Sequence, residues 1–128
     1  MKKYAIIVAG GKGIRMGNDL PKQFILLNNK PVLYYTLKAF LDSYSDLQVI
    51  LVLPLDYTDM GQEIIDAYFD KSRIRIAAGG DSRFQSVKNG IALVEDEAIV
   101  FVHDGVRCLV SKELIHRCYE QAVETGTA

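Results

Sequence analysis

Tyr4-Ala5-Ile6-Ile7-Val8-Ala9-Gly10-Gly11-Lys12-Gly13-Ile14-Arg15-Met16-Gly17 is the stretch that decides the fold. It opens with an apolar run in which no polar residue alternates, the pattern of a strand buried on both faces. The run stops on Gly10-Gly11 and gives way to a glycine-rich loop. A strand feeding such a loop brings backbone amides against phosphate oxygens, where larger side chains would block the approach. A buried strand leading into a loop suited to phosphate oxygens is the expectation from this stretch.

Further strand-like and helix-like runs alternate along the sequence. Residues 24–27 form a short apolar run closed by Asn28-Asn29, a minor strand and turn. Pro31 suits the first position of a helix whose apolar stripe is Val32, Leu33, Leu37, Phe40 and Leu41. Residues 49–53 form a second buried strand, stopped by Pro54. A helix over 59–69 follows, with Ile64, Ile65 and Phe69 inward. Residues 73–78 make a third strand, broken by Gly79-Gly80-Asp81. Ser82 and Gln85 have the spacing of a capping box, opening a helix through Val87, Ile91 and Leu93 or Val94. Residues 98–102 read as a fourth buried strand, and Ser111 caps a last helix containing Leu114, Ile115 and Cys118 or Tyr119. This order predicts a mainly parallel sheet with helices on both faces. Residues 124–128 read as a helix end followed by the start of another strand. A chain truncated at the carboxyl end, with an unpaired sheet edge, is therefore expected.

The 128 residues suit one domain, with 49% of them apolar and a formal net charge of −1. That balance excludes a disordered tail and makes nucleic acid and membrane surfaces poor partners, so anion binding must come from local donors. Lys2 and Lys3 ahead of the apolar start resemble a signal peptide only briefly, because the apolar core is too short and no cleavage pattern follows. A soluble, cytoplasmic protein is expected. Cys108 and Cys118 make neither a disulfide framework nor a metal site and read as reduced thiols.

Ligands of parallel sheets sit at the carboxyl ends of the strands, and polar segments occupy those ends at 10–22, 79–86 and 103–107. In the first, no Gly-Lys-Ser/Thr triplet completes a Walker loop, and Gly17 falls one place late for a dinucleotide fingerprint. Its cations are the distinctive feature. Lys12, Arg15 and Lys22 face one acid, Asp19, and such a cluster could hold a triphosphate and offset charge developing on an attacked phosphorus. The plainer alternative is solvated loop charges and glycines that only turn the chain. In the second segment the amides around Gly80 can approach a base or ribose and Ser86 can offer a hydroxyl; an ordinary loop capped by Asp81 or Ser82, with Arg83 in water, is the alternative. In the third, Asp104 leaves an apolar strand at the rim, suited to Mg²⁺, which takes one or two carboxylates plus substrate phosphates. A structural Asp104–Arg107 pair is the alternative there, and His103 reads as scaffold.

Taken in order, V-A-G-G-K-G-I-R-M-G, P-K-Q-F, K-P-V-L, G-G-D-S-R-F-Q-S-V-K-N-G and V-H-D-G-V-R closely resemble the 2-C-methyl-D-erythritol 4-phosphate cytidylyltransferases and the related ribitol 5-phosphate enzymes. The resemblance covers essentially the whole chain and implies a Rossmann-like nucleotidyltransferase fold, of which residues 1–128 are the nucleotide-binding part. It implies that Ala9, Gly10, Gly11, Lys12 and Gly13 wrap the triphosphate of CTP, while Arg15 and Lys22 act on the pentacoordinate phosphorus. Gly80, Asp81 and Ser86 would meet the cytosine and ribose, flanked by Arg83. Asp104, followed by Gly105, would hold Mg²⁺, and Arg107 would support that loop. The implied reaction is attack by the phosphate of a sugar-alcohol phosphate on the α-phosphorus of CTP, with pyrophosphate leaving; the implied complete protein is a homodimer. Cys108 stands where the family usually has proline. Ribitol 5-phosphate as acceptor, or a silent nucleotide-binding fragment, are the other readings. A nicotinamide oxidoreductase fails on glycine spacing and a missing ribose-binding acid.

Overall fold

A computed structural model of the chain describes residues 2–9, 24, 26–94, 98–105 and 112–125. The apolar opening forms β1 (Lys2–Val8), and the short run near residue 26 becomes a hairpin, β2 (Leu26–Leu27) with β3 (Lys30–Pro31). The chain continues through α1 (Val32–Ser43), β4 (Leu47–Leu53), α2 (Thr58–Tyr68) and β5 (Ile74–Ala78). It ends with α3 (Arg83–Ile91), β6 (Ala98–Asp104) and α4 (Lys112–Thr125). β5, β4, β1 and β6 lie side by side in that order as a parallel sheet. The expected mainly parallel α/β sheet is thus present, with one small antiparallel hairpin beside it.

β1 shows why an apolar run without alternation is needed. Ala5, Ile7 and Ala9 enter one core, which Leu33, Leu37 and Phe40 of α1, Ile64 and Ile65 of α2 and Ile115 of α4 complete. Tyr4, Ile6 and Val8 enter the other, against Val87 of α3 with Leu93 and Val94. Successive side chains of a strand point to opposite faces, so a central strand covered on both sides has no solvent-facing position.

Several local expectations shift. Pro31 precedes α1 instead of opening it: its ψ of 147° is extended, and it pairs with Leu26 across the hairpin. Asn28 and Asn29 close that hairpin with φ of 52° and 69°, the left-handed conformation that asparagine tolerates. Phe69 lies one residue past α2 in extended conformation, yet still packs on the core. Ile91, expected inward, is half exposed. Gly90 takes the inward position instead, where an added Cβ would stand 2.8 Å from Ile6 Cγ2. The capping box forms by half: Ser82 Oγ accepts from the Gln85 amide at 3.1 Å, while the Gln85 side chain donates to Asn89. In α4, Leu114 is likewise half exposed, while Ile115 is buried. β6 runs on to Asp104 and is half-buried rather than buried, because it is the edge of the described sheet. Ser111 lies outside the described residues.

Candidate functional site at the carboxyl rim of the sheet

The sheet order places a change of direction between β1 and β6. From β1 the chain moves to β4 by way of α1, on one face; it returns from β5 to β6 by way of α3, on the other. The crevice at such a switch point, outside the carboxyl ends of the strands, is where open α/β sheets bind ligands.

Ala9, Asp104 and Gly105 meet at this crevice. Asp104 lies opposite Val8 in the β1–β6 register. The Gly105 amide donates to the Val8 carbonyl at 2.9 Å, and the Ala9 amide donates to the Val52 carbonyl at 2.9 Å. A Cβ built on Gly105 would stand 2.8 Å from the Ala9 Cβ and 3.4 Å from Ile7 Cγ2 and Leu33 Cδ1. Only glycine lets the turn after Asp104 close this tightly on the start of the glycine loop. The Gly105 carbonyl in turn accepts from Thr36 Oγ1 of α1 at 3.1 Å.

The second rim segment follows β5. The Gly79 amide donates to the Leu53 carbonyl at 2.7 Å, and the Gly80 amide donates to Ser86 Oγ at 3.1 Å. Ser86 is buried, so its oxygen shapes the Gly80 turn from beneath. Asn89, one turn further along α3, donates to the Ala78 carbonyl at 3.0 Å. Asp81 and Arg83 are exposed at the mouth of this segment. Three strand spacings separate β5 from β6, about 14 Å across the rim, so the two segments flank the strand ends rather than touch.

Ala9, Asp104 and Gly105 are therefore brought together, and Gly80, Asp81, Arg83 and Ser86 form a second group on the same rim. Gly10, Gly11, Lys12, Gly13, Arg15, Lys22 and Arg107 lie outside the described residues. Thr36 and Asn89 also hold rim carbonyls, and neither stands in a polar segment that the sequence marks. Asn89 sits one helical turn from Ser86, and Thr36 is a lone hydroxyl inside an apolar helix stripe; those are the signals that could have found them.

Among the described residues no three His, Cys, Asp or Glu side chains gather into a metal cage. One carboxylate, Asp104, ends a strand at the crevice. That donor set fits Mg²⁺, which keeps waters and takes its remaining oxygens from substrate phosphates. Among the described residues no helix is long and apolar enough to cross a membrane.

Comparison with known proteins agrees with this architecture. The family described as IspD, 2-C-methyl-D-erythritol 4-phosphate cytidylyltransferase, matches residues 4–128. A 2-C-methyl-D-erythritol 4-phosphate cytidylyltransferase of Bacteroides thetaiotaomicron is 52% identical over 122 residues, 95% of this chain and 56% of that protein. One from Clostridium botulinum is 46% identical over 127 residues, 97% of this chain and 55% of the relative. The chain thus spans little more than half the length of the curated relatives it matches. Among solved structures, the 4-diphosphocytidyl-2C-methyl-D-erythritol synthase of Anaerococcus prevotii superposes with a TM-score of 0.78 at 28% identity, covering 94% of this chain and 50% of that one. The bifunctional IspDF of Campylobacter jejuni gives 0.77 at 29% identity, over 97% and 31% of the two chains. With a Rossmann-like sheet, its switch-point crevice and a family match from residue 4 to residue 128, the chain belongs to the 2-C-methyl-D-erythritol 4-phosphate cytidylyltransferases.

Proposed function

We propose that residues 1–128 are the nucleotide-binding part of a single cytidylyltransferase domain, whose complete form transfers CMP from CTP to 2-C-methyl-D-erythritol 4-phosphate. The products are CDP-methylerythritol and pyrophosphate. The observation that carries the reading is the meeting of Ala9, Asp104 and Gly105 at the β1–β6 crevice, in a chain of this family.

The chemistry asks little of covalent catalysis. A phosphate oxygen of the acceptor is already a nucleophile, so no general base is needed, and the work is positioning and charge stabilisation. In this proposal Lys12 and the amides of Gly10, Gly11 and Gly13 hold the β- and γ-phosphates, continuing the path that Ala9 begins. Arg15 and Lys22 neutralise charge on the α-phosphorus as the acceptor oxygen enters and pyrophosphate departs on the opposite side. Gly80, Asp81, Arg83 and Ser86 orient the cytidine, with Ser86 acting through the Gly80 turn. Asp104 would hold Mg²⁺, backed by Gly105 and Arg107; when bound, the ion offsets negative charge on the phosphate oxygens. The complete enzyme is proposed as a cytoplasmic homodimer, on the strength of the family resemblance.

The deciding experiment is pyrophosphate release from CTP and Mg²⁺ with methylerythritol phosphate or ribitol 5-phosphate in competition. Preference for methylerythritol phosphate is expected. Preference for ribitol 5-phosphate would reassign the acceptor. CTP binding without turnover on any alcohol phosphate would leave a nucleotide-binding fragment.

A further inference from the structure

We propose that Thr36 is a positioning residue for the metal-holding turn, an inference that rests on the cytidylyltransferase reading above. Thr36 lies mid-way along α1 on its buried face and is 0% exposed. A helical Ser or Thr commonly returns its hydroxyl to the carbonyl one turn back. Ser43 of the same helix does so, donating to the Ala39 carbonyl at 2.6 Å. Thr36 donates instead across 69 positions of sequence, to the Gly105 carbonyl at 3.1 Å.

That bond completes a clamp. The Gly105 amide is held by the Val8 carbonyl of β1, its carbonyl by Thr36 of α1, and the space a Cβ would take is closed off by Ala9 and Leu33. Both polar groups of the residue that follows Asp104 are thereby fixed by elements other than β6. A carboxylate that receives a divalent cation must be aimed before the ion arrives, and the groups that support a ligand matter nearly as much as the ligand. Through Thr36, α1 sets the angle at which Asp104 leaves its strand. It also ties that angle to the start of the glycine loop at Ala9.

The test compares Thr36→Val, which keeps shape and removes the hydroxyl, with Thr36→Ser, which restores it. Calorimetry with CTP, in Mg²⁺ and in chelator, reads the metal-dependent part of nucleotide affinity. Amide exchange and chemical shifts of Asp104 and Gly105 in the ligand-free chain read the turn itself. The Val variant should lose about 10- to 100-fold of the Mg²⁺-dependent affinity, bind CTP in chelator nearly as before, and exchange the Gly105 amide faster. The Ser variant should stay within about twofold of the parent on each measure, as expected where one hydroxyl carries the effect. Should the Val variant not fold, Thr36→Ala carries the same comparison. A folded Val or Ala variant with unchanged Mg²⁺-dependent affinity and unchanged Gly105 exchange overturns the inference. If the parent chain shows no Mg²⁺-dependent CTP binding, the cytidylyltransferase reading falls instead, and the Gly105 exchange comparison still decides whether Thr36 holds the turn.

Discussion

Gly105 and the Lys3–Asp46 pair show how differently two single residues can matter. An alanine at 105 would bring its Cβ to 2.8 Å from Ala9 Cβ, with Ile7 and Leu33 closing the other sides. Buried overpacking of this kind costs about 1–3 kcal/mol, and the relief must come from the Ala9 backbone, where the glycine loop begins. Gly105→Ala should therefore lower both the urea midpoint and CTP affinity; a loss of stability with full affinity would mean the rim absorbs the shift elsewhere. At the opposite end of the sheet Lys3 Nζ meets Asp46 at 2.9 Å and lies over the rings of Tyr44 and Tyr119, each centroid 5.0 Å away. The hydrogen bond from Lys3 holds the Asp46 carboxyl below its usual range and raises the Lys3 ammonium above its own. A lowered acid stabilises the fold above its unfolded pKa, about 3.9, and ceases to as pH falls through the lower folded value. The raised lysine contributes fully below about 10.4 and stops contributing as pH climbs through its folded value. Asp46 is 62% exposed, so solvent screening limits the pair to about 0.5 kcal/mol. Urea unfolding of Asp46→Asn should thus differ from the parent by a constant small amount between pH 5 and 8, and the gap should close below about pH 4. A gap of equal size at pH 3 would assign the effect to something other than this ion pair.

α3 is the element in which reading from sequence and the folded structure part most usefully. Its start was legible, since Ser82 accepts the Gln85 amide as its cap, a purely local interaction. Its inward face was not. Ile91 fits the apolar period but is half exposed, and Gly90 faces β1 and β4, close to Ile6 Cγ2 at 2.8 Å and Val52 Cγ2 at 3.1 Å. How closely a helix approaches a sheet depends on residues more than 35 positions away, and no local pattern encodes it. Two magnitudes compete at Gly90. Alanine is the better helix former by about 1 kcal/mol, while pressing a methyl into a packed seam costs about 1–3 kcal/mol. The clash should win, because Ile6 and Val52 are fully buried and have nowhere to retreat. Gly90→Ala is expected to lower the urea midpoint, with a net loss of unfolding free energy of up to about 2 kcal/mol, whereas the same exchange paired with Ile6→Val should recover part of it. A rise in stability for the single variant would show that α3 can lift off the sheet at little cost.

For the whole molecule, the legible part was the sheet: four strand-like runs became four parallel strands, with the two most apolar, β1 and β4, at its centre, where a strand needs cover on both faces. The ends of those strands were legible as polar segments, and Asp104 and Gly105 stand where that predicts. The hydrogen bonds that fasten the rim were not, since Thr36 to Gly105 and Asn89 to Ala78 join residues that come together only after the layers stack. Such bonds tie helices on both faces of the sheet to its carboxyl rim, so occupancy of the rim should be felt by the entire fold. A ligand that binds the folded state alone stabilises it by about 2.7 kcal/mol at 100 times its Kd. For a domain of this size that corresponds to roughly 10 °C in Tm. Thermal unfolding of the 128-residue chain with CTP and Mg²⁺ should therefore show a rise that saturates with nucleotide. Omitting the metal should diminish it, and ATP at equal concentration should give a smaller one. Equal shifts with CTP and ATP would mean that the rim around Gly80 does not read the base. No shift with either, in a chain shown to be folded, would remove nucleotide binding from this part of the protein.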